Sequence, residues 1–424
     1  MNRDKIIEYI NSHVSADDWT LRISEHDSHE TRFAQNGITQ HIAGAKPDIS
    51  LNVSFGTRSG TCTVNQGDDE SLNYLIQTAE SIARLAPEDP EFIPTAGNTE
   101  LLQASNCDPE TKALTPQQMV DIVSRSIDKA KALGATVSGM TEKHINERCM
   151  ATKNGFYGTD CATEFGHSMT IKKAEVETKV SYEAKQFAMF DLDREFAQLA
   201  SQAEALATMQ SFEPQKIAVI LRPSALMELM WFMGWMMNRR QSDEGFTPFT
   251  DQLGKPFFGD KFSWYSTFNQ PEMISISYDS EGVASREITW VENGILKNMP
   301  TNRYWAGKVN ADPCNIFNVY IPGADVSEEQ MMQMVPRGLI INRFWYIRTV
   351  DAKVGELTGM TRDGVLYFED GKVKHAVNNL RFNEIPHDAT RRILALGKSV
   401  LASSHMKLPT MLIDGFNFVD KTSF

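Results

Sequence analysis

Few stretches of this chain place chemically capable side chains at spacings that chemistry uses. His26 and His29 flank Asp27 in an H-x-x-H run, and two imidazoles can ligate a metal. A solvated loop or strand end is the simpler reading of so short a polar run. Arg239 and Arg240 follow Asn238 and offer guanidinium forks for a peptide carboxylate, or for an internal ion pair. Ser403, Ser404 and His405 are consecutive, but a nucleophile and its base meet through the fold rather than by adjacency. Asp243 with Glu244 reads as a loop, and Glu328 with Glu329 as a helix N-terminus, where the dipole favours carboxylates. Met227, Met230, Met233, Met236 and Met237 are soft donors in one apolar stretch, a pattern that core packing also produces. Trp231, Phe232, Trp235, Phe246, Phe249 and Trp264 crowd the same region, as fill or as the lining of an apolar cleft.

The 424 residues are enough for more than one core, and the net charge of −13 comes without a Lys/Arg run. Phosphate binding needs such a footprint, so no nucleic-acid partner is expected. Cys62, Cys107, Cys149, Cys161 and Cys314 contain no C-x-x-C pair, so reduced thiols are expected. The charged start shows no apolar signal segment, which points to the cytoplasm. Ile217–Met237 is apolar but is interrupted by Arg222, Pro223 and Glu228, so it reads as a buried strand and helix and not a membrane span.

Periodicity supplies the elements. Helical spacing covers Lys5–His13, Ser71–Arg84, Asp193–Ala207 and Ser224–Arg239, and Thr115-Pro116 opens a further helix to Leu133 with a cap and an N1 proline. Strands are expected at Trp19–Ser24, Glu30–Gln40, Ile49–Thr57, Thr61–Asn65, between Thr136 and Tyr182, and at Lys216–Leu221. Beyond that come mostly strands, with turns at Glu281-Gly282, Asn293-Gly294, Asp363-Gly364 and Asp370-Gly371, and helices at Ser327–Val335 and Pro386–Leu396. The fold class is therefore α+β: an N-terminal α/β domain with a mostly antiparallel sheet over residues 1–211, then a larger β-rich domain over 212–424.

Several blocks resemble the TldD/PmbA family, known as modulators of DNA gyrase. Thr31–Gln40 is similar to the family's N-terminal strand signature. Asp279–Arg286 resembles its D-x-E-G-V turn, and Val291–Lys297 its I-E-N-G-V-L-K hairpin. Ile321–Gly323 with Ser327–Gln330, Gly359 with Tyr367–Lys372, and Leu408–Ile413 follow in the family's order. The resemblance implies the same two-domain fold.

It also implies what is missing. TldD-like members carry H-E-x-x-x-H on a helix and a cysteine near the C-terminus, a set that holds zinc with a position open for water and a Glu as general base. Here Met227 and Phe232 stand at the two histidine positions and Glu228 alone survives. Ala402–His405 lies where the cysteine is expected. Phe344, Trp345 and Tyr346 replace the family's Gly-rich G-G-x-V-D segment. The family implies paired subunits, one bearing zinc and one of PmbA or TldE type lacking it, that cleave unfolded peptides and trim leaders. This chain then reads as the metal-free subunit: no metal or other cofactor of its own, zinc in the partner, and no catalytic residue unless Glu228 acts. Arg239, Arg240, Phe344, Trp345 and Tyr346 are the candidate substrate or partner contacts. A stand-alone homodimeric peptide-binding protein, or a hydrolase built around Glu228, are the other readings.

Overall fold

The computed structural model describes residues 2–422. Its first half begins with helix α1 (Arg3–His13), capped where the Asn2 side chain accepts from the Lys5 N–H. Strands β1 (Asp18–Ala34), β2 (Gly37–Phe55) and β3 (Arg58–Val64) follow, then helix α2 (Asp69–Leu85). A connector carries the short α3 (Pro109–Ala113), and α4 (Pro116–Ala132) starts at a full capping box between Thr115 and Gln118. Strands β4 (Thr136–Thr152), β5 (Tyr157–Lys173) and β6 (Val176–Ala184) and helix α5 (Leu192–Leu206) complete this half. The six strands form one antiparallel sheet in the order β3-β2-β1-β4-β5-β6.

Apolar side chains decide where the helices lie. Leu75, Ile76 and Ala79 of α2 pack with Leu21, Ile49 and Leu51 of the sheet, while Val123 and Ile127 of α4 and Leu199 of α5 pack with Val137, Met169 and Ile171. Contact at the first site is backbone-close: a Cβ on Gly60 would stand 2.3 Å from the Ala79 carbonyl oxygen. The segment Glu30–Gln40, expected as a strand with its turn signal at Asn36-Gly37, is the tip of the β1/β2 hairpin, and the turn falls one residue earlier. Gln35 and Asn36 both take positive φ (50° and 62°), the geometry of a two-residue turn.

The second half contains β7 (Lys216–Leu221), α6 (Pro223–Met236), α7 (Arg239–Asp243), β8 (Trp264–Ser266), β9 (Ile288–Glu292), β10 (Ile295–Leu296) and α8 (Arg303–Val309). Next come β11 (Val319–Tyr320), α9 (Glu328–Gln333), β12 (Arg337–Asp351), β13 (Glu356–Glu369) and β14 (Lys372–Val377). The chain ends with β15 (Leu380–Glu384), α10 (Pro386–Thr390), β16 (Ile393–Ser403) and β17 (Met406–Lys421). These strands form a mixed sheet in which β7 pairs parallel with β12 and antiparallel with β17. The path β7-β12-β13-β15-β17 therefore returns to β7 and closes on itself. Leu221, Val219, Leu339, Ile341, Phe344, Phe382 and Phe416 share the largest core, onto which α6 lays Leu226, Leu229, Met230 and Met233.

With 43% strand against 25% helix, and helices set beside antiparallel and mixed sheets, the molecule is α+β. Asp363 and Gly364 make no turn; both have positive φ inside β13 and kink that strand. The helix expected over Pro386–Leu396 ends at Thr390 because the chain enters β16 three residues later. Cys107 and Cys161 are joined as a disulfide that ties the connector to β5, against the expectation of reduced thiols throughout. Among the described residues no helix is long and apolar enough to cross a membrane, and Ile217–Met237 divides into β7 and α6.

Candidate functional site

Helix α6 carries the segment Met227–Phe232. Its N-cap residue, Arg222, donates to Glu328 through Nε at 2.9 Å and Nη2 at 2.7 Å, and to Asn342 Oδ1 at 2.5 Å, which fixes the helix start against α9 and β12. Leu226, Leu229, Met230, Met233 and Met236 face the core. That burial accounts for the methionine run, and Met227 packs against the same cluster from the side. Phe232 packs against that core too, and the opposite face holds Glu228, Trp231 and Trp235, the two tryptophans 49% and 67% exposed. Burial pushes the Glu228 carboxyl above its ordinary range, with Arg343 pulling the other way.

A zinc site of the H-E-x-x-x-H kind does not fit these residues. The helix presents one carboxylate between a thioether and a phenyl ring, and zinc needs imidazole, thiolate or carboxylate donors. The carboxylates that approach His405 are Glu164 of β5 and Glu183 of β6. Their oxygens and an imidazole nitrogen lie within 4.8 Å of one another, so this trio has donors suited to a cation. The fully buried Ser404 occupies its middle, however. Its Oγ is 2.5 Å from Glu164 Oε1, 2.7 Å from Glu183 Oε1 and 2.9 Å from His405 Nδ1. The cluster thus joins the β16–β17 turn to the first sheet by hydrogen bonds.

The remaining candidates separate. Asn238 caps α7, Arg239 pairs with Asp243 at 2.8 Å, and Arg240 forks onto Glu91 at 2.7 and 2.9 Å while also reaching Glu244 at 3.1 Å. Both guanidinium groups are engaged inside the molecule, and Arg240 clamps the connector to α7. The same ion pair holds the Glu91 carboxyl below the usual range. His26 and His29 lie within β1 on opposite faces, so they form no ligand pair. His26 bonds Asn146 and stacks on His144, whereas His29 meets Asp27 at 3.3 Å. Phe344 is completely buried between Phe382 and Phe416, which removes it as a ligand contact. Trp345 and Tyr346 are its exposed neighbours, at 40% and 54%. The three arginines beside them, Arg348, Arg362 and Arg381, were not singled out from the sequence, because only strand pairing brings them together. Two surface clefts, lined by residues such as Asp48, Gln66 and Tyr74, and Lys5, Tyr9 and Leu72, include none of the motif residues.

Residues 214–420 match the PmbA/TldA metallopeptidase C-terminal domain, the half that holds α6 and the closed strand path. The chain belongs to the TldD/PmbA family. A zinc metalloprotease TldD homologue of Saccharolobus solfataricus is 28% identical over 97 residues, which is 19% of this chain and 22% of the relative's length. At the level of the fold, TldE from Thermococcus kodakarensis superposes with a TM-score of 0.88 at 15% identity over 98% of both chains. A Thermotoga maritima protein described as a modulator of DNA gyrase gives 0.86 at 17% identity, covering 98% of this chain and 99% of the other. This family is metallopeptidase-like, and α6 of this member bears Met227, Glu228 and Phe232.

Proposed function

We propose that this chain is the non-catalytic, metal-free subunit of a TldD/TldE-type peptidase complex, and that it guides unfolded or leader peptides to a zinc-bearing partner. The reading is supported by α6, whose Met227 and Phe232, at the positions that the resemblance gives to histidines, bring a thioether and a phenyl ring beside Glu228 and no imidazole. Extended peptides have a place to pair: the outer edge of β2 over residues 37–47 lacks a strand partner among the described residues, since β3 covers β2 only from Ile49 to Phe55. In this reading the domains are 1–211 and 212–424, the protein is cytoplasmic, and it works as a heterodimer. Co-expression with a TldD-like chain from the same genome tests it. The expected result is a co-purifying pair that cleaves peptides when neither chain does alone. A chain that forms only homodimers and never captures such a partner overturns it.

A further inference from the structure

The outer face of β12, β13 and β15 gathers charge that the rest of the molecule neutralises. The net charge is −13, and most arginines sit within 4 Å of a carboxylate. Arg348, Arg362 and Arg381 have no such partner among the described residues. They are neighbours. Met360 of β13 pairs with Trp345 of β12 on one side and Arg381 of β15 on the other, which sets Trp345 and Arg381 about 10 Å apart across the strands. Arg362, two residues on from Met360, shares its face and lies 4.4 Å from the Trp345 ring centroid. Arg348 lies 4.2 Å from the Tyr346 ring.

The backbone displays this group. Pairing between β12 and β13 shifts register between Trp345 and Arg348, and Tyr346 takes φ 54°, a conformation rare for an aromatic residue. The bulge breaks strand alternation, so that Trp345 and Tyr346 both reach solvent while Phe344 and Ile347 enter the core. Arg348 donates one Nη1 bond to the Ile347 carbonyl at 2.8 Å, whereas a guanidinium stacked on a ring, as Arg362 is, keeps its N–H fork free for a carboxylate. Two carboxylates lie nearby without pairing to these arginines. Asp363 is held by Arg343 at 2.5 Å, and Asp420, which pairs in register with Arg381, makes no ion pair with it.

We propose that this face binds an extended peptide segment bearing two carboxylates, with Arg362 and Arg381 taking the charges and Trp345 and Tyr346 packing the neighbouring side chains. The proposal rests on the peptide-guiding reading and adds the substrate's charge to it. The test is fluorescence anisotropy of the full chain with labelled, unstructured 12-residue peptides that differ only in Glu, Gln or Lys at two positions. The Glu peptide should bind at least tenfold more tightly than the Gln peptide, weaken with salt, and lose at least tenfold in R362Q/R381Q. R362K should fail to restore it, because an ammonium lacks the fork. Thermal melts that match wild type exclude misfolding of the variants. Equal binding of Glu and Gln peptides, or Glu-peptide binding unchanged in R362Q/R381Q, overturns the site and leaves the guiding role standing. Capture of a TldD-like partner without any peptide binding overturns both. A shift to monomer in R362Q/R381Q with no loss of peptide affinity would make the face an interface between copies and overturn the proposal too.

Discussion

His167 lies between two hydroxyls, with Thr141 Oγ1 2.8 Å from its Nδ1 and Ser126 Oγ 3.2 Å from its Nε2, and Phe33 and Phe190 pack around the ring. Burial holds it neutral and pushes its pKa down to about 3. The unfolded chain takes up a proton near pH 6.5 that the folded chain refuses. Stability should therefore fall as pH drops from about 6.5 toward 3, by up to about 1.4 kcal/mol per pH unit from this group. Urea unfolding across pH 4 to 7 should show a shallower slope in His167→Asn than in wild type, and parallel slopes would contradict the assignment. Adjacent residues 344 and 345 make a second test at this scale. Phe344→Ala empties a core position and should cost about 3–5 kcal/mol. Trp345→Ala, on the surface, should cost no more than about 1 kcal/mol. Similar losses for both would mean that β12 is not seated as described.

At the scale of elements, the connector between α2 and α4 is held by side chains rather than by secondary structure. Arg240 grips Glu91, and the Cys107–Cys161 bond fixes its later part to β5. Arg240→Ala should raise amide exchange and proteolytic nicking between Pro87 and Leu114 while leaving β4 and β5 protected, and unchanged exchange there would refute the clamp. Thiol titration of the unfolded, unreduced protein should count three free cysteines, Cys62, Cys149 and Cys314, whereas five would deny the bond. Helices were legible in the sequence because caps and apolar spacing agree, as at Thr115-Pro116 and along α2. The long first strands were legible only in part. From Glu25 to Lys46 the hairpin is mostly polar and half-exposed, so no alternation marks it, and pairing with β2 on one side and β4 on the other carries β1 through to its tip. Asp363-Gly364 has the residues of a turn and is used as a bulge, a difference that β12 imposes by pairing with Arg362 before it and Val365 after it. Nothing in two cysteines separated by 54 residues announces their bond.

For the whole molecule, two sheets meet where Ser404 binds Glu164 and Glu183, and where Arg148 of β4 bonds Asp160 and the Tyr278 carbonyl. Each half thus fixes the other, and α6 is presented on a rigid frame with an aromatic and carboxyl face but without the donors of a zinc enzyme. That α6 offers no histidine or cysteine was readable from residue types alone. Which aromatics are core and which are surface was not, because Phe344 and Trp345 differ only in the strand face they take. The central claim is that catalysis belongs to a partner. Metal analysis with a peptidase assay, on the purified chain alone and on its co-purified complex with a TldD-like chain, tests it most directly. The account predicts no stoichiometric zinc and no cleavage for the chain alone, with both present in the complex. Stoichiometric zinc in the isolated chain, with peptide cleavage that disappears in Glu228→Gln, would contradict it.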